Sequence, residues 1–226
     1  MAKKKTSWLS PTKQRALDEQ LRKEKNKRII AFTLLGIVAL IGIAMMAMGI
    51  AMANRPYYAD IEVEGYGVIT VELNGKEAPI TVKNFIKLAN SGFYNGTTFN
   101  MIGETGTVCG GRARDGKSPT NIKGEFSNNN VDNNISHVRG TISMNRLVKP
   151  EGSNGADADY YNSANSEFFI MQKDNFKLDG SFAGFGTVIS GMDVVDRIFN
   201  EVKTENQIIA QENQPVIKSI TIKRSK

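Results

Sequence analysis

Few side chains in this chain are equipped for bond-making chemistry. There is one histidine, His137, and one cysteine, Cys109. A single Cys supplies no intrachain disulfide, and one Cys with one His falls short of a zinc ligand set. Cys109 reads either as a reactive thiol in a groove or as a free cysteine packed like a small apolar residue, its more usual state. His137 precedes an apolar run and reads as a structural or solvated loop residue. Asp157 and Asp159 have D-x-D spacing that suggests calcium, but no full loop pattern follows, so the segment 148–162 reads as a solvated acidic insertion. These residues point away from metals and cofactors and toward a site that works by binding.

The elements that must carry such a site divide into two parts. The chain has 226 residues, 40% hydrophobic and 23% charged, enough for one ordinary domain plus an appendage. Its net charge of +6 is unevenly spread: residues 1–28 hold ten Lys/Arg against three Asp/Glu, a net +7, so residues 29–226 carry about −1. The body lacks the basic surface that nucleic acid requires. Ile29–Ala53 is a run of 25 uncharged, largely apolar residues. As a helix it extends about 37 Å, more than the roughly 30 Å hydrocarbon core. The basic flank predicts a cytoplasmic N-terminus, with Asn54–Lys226 outside the membrane. Ala51-Met52-Ala53 also has the form of a signal-peptide cleavage site, but the charged and apolar stretches are both too long for a typical one, and a signal-anchor is the reading taken. Residues 1–28 then form a basic cytoplasmic tail, solvated beside anionic headgroups, and 54–58 a link.

Beyond the link the pattern becomes that of a folded domain over 59–226. Ile61 and Val63, then Val68–Leu73, alternate at period two and predict two strands. Pro79–Asn90 predicts a helix, with Thr81 as a cap candidate and Val82, Phe85, Ile86, Leu88 and Ala89 on one face. A Gly/Asn-rich middle from Gly103 to Asn134 reads mainly as loop. Gly140–Met144, Glu167–Gln172, Gly184–Val188 and Val216–Ile222 predict further strands, and Gly191–Phe199 a second helix. The expected fold class is mainly β with two helices: a closed antiparallel eight-stranded barrel, preceded by one transmembrane helix.

Eight blocks in register carry a family resemblance over about Ala59–Ile222. They include Gly67–Leu73, Ala78–Phe85, Gly92–Phe99, Gly110-Gly111 and Ser136–Met144. Ser163–Ile170, Leu178-Asp179-Gly180 with Phe185-Gly186, and Gly191–Val195 complete the set. In this order the chain resembles the cyclophilin-type peptidylprolyl isomerases. The resemblance implies a cyclophilin-like barrel with a groove for proline-containing peptides, no cofactor and no metal. It also implies rotation of X-Pro bonds in unfolded secreted proteins, against a barrier of about 18–20 kcal/mol set by amide resonance. A cation beside the proline nitrogen stabilises the twisted amide more than the planar one.

By the same register, the family's catalytic arginine position is Met101 and its backbone-binding glutamine is Cys109. Two pocket-wall positions fall at Gly106 and Thr107. The resemblance assigns Phe169, Leu178, Phe182 and Met144 to the proline pocket, and Asn145 and Glu167 to the edge that meets the substrate. Methionine offers no positive charge, so Met101 cannot assist a twisting amide. Arg112, Arg114 and Arg146 lie near the cleft by register, and Arg146 is the leading substitute cation. The expectation is therefore weak isomerase activity, with a non-catalytic binding or scaffold module as the alternative.

Overall fold

A computed structural model describes residues 10–53, 56–113, 116 and 118–224, with the backbone alone for 47–53. The contacts divide the chain into two units, with the break between Arg55 and Pro56. The first is a single helix, α1 (Pro11–Ala53), of 43 residues. Pro11 needs no amide partner at a first helical position, and the Gln14 N–H donates to the Ser10 carbonyl at 3.0 Å. From residue 11 onward the basic tail is in one helix with the apolar run, its side chains almost all exposed; residues 1–9 lie outside the described part. From Ile29 the apolar side chains are exposed on all sides, Phe32 by 73% and Val38 by 66%. The helix is long and apolar enough to cross a membrane.

The second unit begins with β1 (Tyr57–Val63) and β2 (Gly67–Leu73). β1 therefore starts inside the segment read as a link, of which Asn54 and Arg55 are not described. Then come α2 (Pro79–Asn90), β3 (Phe99–Gly103), β4 (Thr107–Gly110) and β5 (Thr141–Met144). The short α3 (Asp157–Tyr161) precedes β6 (Phe168–Met171), β7 (Ala183–Ser190) and α4 (Met192–Glu201). A small hairpin of β8 (Thr204–Glu205) and β9 (Ile208–Ile209) leads to β10 (Ile217–Lys223).

All ten strands form one antiparallel sheet in the order β10-β1-β2-β7-β5-β6-β4-β3-β9-β8. The expected count of eight was too low, because the β8–β9 hairpin escapes a periodicity argument. Its turn depends on Asn206 and Gln207 at φ 48° and 69°, a conformation Gln seldom signals. Nor is closure continuous: no ladder joins β10 to β8 among the described residues. Thr98 and Val216 form an isolated antiparallel bridge.

The main core follows from alternation. Ala59, Ile61 and Val63 of β1, and Ile69, Val71 and Leu73 of β2, face Phe85 of α2 and Val195 of α4. The start of α2 corrects one expectation. Thr81 is buried within the helix, and its Oγ1 has no partner. The carboxylate of Glu125 caps the helix instead, accepting from the Ile80 N–H at 3.0 Å and the Thr81 N–H at 2.7 Å. An anion there also meets the positive end of the helix dipole. Glu125 is only 2% exposed, so this cap joins two distant segments inside the core.

Candidate functional site

The four residues of β6, Phe-Phe-Ile-Met, are buried on both faces of the sheet. Phe168 and Ile170 enter the main core. Phe169 and Met171 point the other way and form a second apolar cluster with Cys109, flanked by partly buried Met101, Leu178 and Phe182. Sheet register assembles it. Met101 lies opposite Cys109, Cys109 opposite Phe169, and Phe169 opposite Ser143, one row across β3, β4, β6 and β5. The Phe169 and Phe182 rings meet edge to face at 5.4 Å.

A bulge places Met101 in that row. Between Phe99 and Met101 the β3 ladder advances two residues while β4 advances one, from Gly110 to Cys109. The extra residue, Asn100, lets Phe99 stay in the main core while Met101 joins the second cluster. The structure thus brings Met101, Cys109, Phe169, Leu178 and Phe182 together. It does not bring Met144, which lies opposite Phe168 and belongs to the main core at 1% exposure. Met144 and Phe169 are out of phase on paired strands, so they cannot share a face.

Cys109 is packed rather than poised. Burial pushes its thiol up to about 11, and its Sγ lies 3.7 Å from the Thr107 hydroxyl. At neutral pH it is a protonated, poor nucleophile.

The cations are occupied. The Arg146 guanidinium sits over the rings of Phe126, Tyr161 and Phe182 at 5.1, 5.2 and 4.8 Å. Its Nε donates to the Ser181 carbonyl and its Nη1 to the Leu147 carbonyl, both at 2.8 Å. Phe182 separates it from Phe169. Arg112 donates from Nε to Glu167 Oε1 at 2.8 Å, and Asn145 Nδ2 donates to Glu167 Oε2 at 3.3 Å. The two edge residues are therefore joined to each other and to Arg112. Arg114 lies outside the described residues. In the acidic insertion, the Asp157 carboxylate accepts from Lys149 at 2.9 Å.

His137 is fully buried rather than solvated, and stacks on Phe169 at 5.9 Å. Its backbone N–H donates to Asp179 Oδ1 at 2.7 Å, and its Nδ1 lies 2.8 Å from the same oxygen. Nε2 lies 2.8 Å from Ser143 Oγ. An ionised carboxylate only accepts, so Nδ1 carries the proton and Nε2 accepts from the serine hydroxyl. Sequence reasoning missed Ser143 and the role of Asp179, although Leu178-Asp179-Gly180 stood out as a block. The geometry of the three resembles a hydrolytic triad, but Ser143 has no exposed surface. Its effect is to support the ring of Phe169 from beneath.

Burial pushes the His137 imidazole below its ordinary value of 6.5, against the raising influence of Asp179. The Asp179 carboxyl, raised by burial, is held below its usual 3.8 by the hydrogen bonds from His137. A depressed histidine binds its proton more readily when unfolded. Its neutral form therefore supports the fold above the unfolded pKa of 6.5, and that support is lost as pH falls toward the folded-state value. Asp179 adds a second loss below about pH 4, with the same sign. The thermal midpoint is expected to decline between pH 7 and 5, and His137→Asn to flatten that interval. An unchanged slope in the variant would remove His137 as the cause.

A ten-stranded antiparallel sheet with two amphipathic helices and a second apolar cluster on its other face defines the class: a β-domain with an apolar cluster outside its main core. Residues 58–226 match the family model described as "Cyclophilin type peptidyl-prolyl cis-trans isomerase/CLD", and the chain belongs to that family. It is 37% identical over 149 residues to peptidyl-prolyl cis-trans isomerase A of Dickeya dadantii, covering 62% of this chain and 70% of that one. It is 33% identical over 187 residues to a probable peptidyl-prolyl cis-trans isomerase of Brucella suis, covering 76% and 87%. A crystal structure of a Cryptosporidium parvum cyclophilin-type isomerase superposes with a TM-score of 0.61 at 23% identity, over 76% of this chain and 99% of that one. That protein was also crystallised in the presence of the dipeptide Ala-Pro, with a TM-score of 0.58 and 23% identity, over 74% and 98%.

Proposed function

We propose that this chain is a membrane-anchored cyclophilin whose outer domain holds proline-containing segments of unfolded extracytoplasmic proteins and isomerises their X-Pro bonds slowly. The observation that carries the reading is the Met101–Cys109–Phe169 row. It offers an apolar floor to a proline ring and no charge where the amide nitrogen would lie. Family membership supports the substrate class. The occupied state of Arg146 supports low activity, since a guanidinium already bonded to two carbonyls has fewer donors for substrate. The same facts favour the second reading, a proline-peptide binding module without catalysis. Exchange measurements on a short proline peptide separate the two: slow but catalyst-dependent exchange supports an isomerase, and binding without exchange a binding module.

The anchor reading rests on the +7 flank before the apolar half of α1. Protease added to intact spheroplasts is expected to digest residues 56–226 and spare the basic tail. A fully protected domain would reverse the topology. Recovery of a soluble product starting near Asn54 would instead mean that the segment is cleaved after Ala53.

A further inference from the structure

The β3 bulge that turns Met101 toward the apolar cluster has a second effect, on Asn100 itself. As the extra residue, Asn100 leaves the regular alternation and lines a different cleft, of about 430 Å³, together with Thr98, Ile208 and Gln214. Asn100 is 8% exposed, and its Oδ1 is buried without a hydrogen-bond partner. An unpaired buried carbonyl costs about 1–3 kcal/mol, so native structures rarely retain one without a use. Three other polar side chains that line the cleft, Thr98, Gln214 and Arg112, are already paired. Thr98 Oγ1 donates to Gln214 Oε1 at 2.6 Å, and Gln214 Nε2 donates to the Ile209 carbonyl at 2.9 Å. Arg112, on the rim, is held by Glu167.

We infer that this cleft is a binding subsite for a primary carboxamide, the side chain of Gln or Asn in a bound peptide. An asparagine amide presents one acceptor and one donor along a single edge. A second primary carboxamide offers the complementary edge and satisfies both at once. A single trans main-chain amide does not, because its N–H and C=O point in opposite directions; main chain could match the edge only by presenting the N–H and C=O of one residue in an extended segment. The terminal torsion of Asn is soft, so a turn about χ2 brings its edge to face the cleft. Position fits a peptide that also occupies the apolar cluster. Ile208 lines this cleft and lies opposite Met101 in the ladder. The near-neutral charge of residues 29–226 argues against a nucleobase as the amide-like partner.

The inference rests on the reading that proline peptides bind the Phe169 cluster, and its test separates the two. The full chain in detergent micelles is titrated with fluorescent proline peptides. One Gln is moved through the positions flanking the proline, and each peptide is compared with its Leu counterpart. One position is expected at which Gln tightens binding about ten-fold over Leu, the worth of two amide hydrogen bonds. Asn100→Leu is expected to abolish that preference while the Leu peptide binds as before. Asn100→Asp, which keeps the shape and loses the donor, should retain only part of it. Equal affinity for Gln and Leu peptides at every position means that the cleft holds water alone, and overturns the subsite while leaving proline binding intact. A Gln preference that survives in Asn100→Leu overturns it as well. Failure of every peptide to bind overturns both readings together.

Discussion

Met101→Arg is expected to raise the rate of X-Pro exchange at least ten-fold over wild type. A transition-state donor of this kind is worth about 10²–10³ in rate, or roughly 3–4 kcal/mol. Wild type should fall short by that factor of a cyclophilin with arginine at this place. Recovery will be partial, because Met101 faces Cys109, which is 3% exposed and offers no backbone-binding amide. Affinity for the peptide should change little, since Phe169, Leu178 and Phe182 still supply the apolar floor. Arg146→Ala is the companion experiment. Its guanidinium is spent on three rings and two carbonyls, so its loss should lower stability and leave exchange within two-fold. Abolition of exchange by Arg146→Ala would show that Arg146 is the working cation. Robust wild-type exchange, untouched by that change, would leave the account of Met101 without support.

The largest loss of stability is expected from Asp179→Ala. One carboxylate oxygen accepts from both the backbone N–H and the ring Nδ1 of His137, a residue with no exposed surface. Removing it leaves two buried donors unpaired, at about 1–3 kcal/mol each before relaxation. A net cost of about 2–4 kcal/mol should lower the thermal midpoint by roughly 5–15 °C. Asp179→Asn keeps an acceptor for the backbone N–H and should lose about half as much. Because His137 stacks on Phe169, peptide affinity should weaken in both variants at temperatures where the domain is still folded. Urea titration of the full chain in micelles measures the first effect. A change below 0.5 kcal/mol in Asp179→Ala would show that water replaces the carboxylate without loss.

Local chemistry made much of this protein legible in its sequence. The apolar run from Ile29 marks a helix long and apolar enough to cross a membrane, because length and hydropathy are properties of contiguous residues. Strand patterning located β2, β5, β6, β7 and β10 within a residue or two and found the second half of β1, and Pro79 and Gly191 marked the helix starts. The block pattern placed Met101, Cys109 and Phe169 in a common site, and their ladder partners agree. What escaped depended on contacts between distant segments. Glu125 caps a helix 44 residues before it, and Thr81, the local candidate, is buried instead. Met144 joins the main core because its strand phase follows Phe168, a relation no single strand records. Arg146 looked like a free cation until Phe126, Tyr161 and Phe182 converged on it from three distant segments. His137 read as structural or solvated, and its contacts with Ser143 and Asp179 make it structural. The Asn100 bulge appears only as a mismatch between two strands in register. Periodicity and composition report how each residue meets solvent or membrane; which charges are spent and which polar groups stay unpaired is settled only when tertiary packing chooses their neighbours.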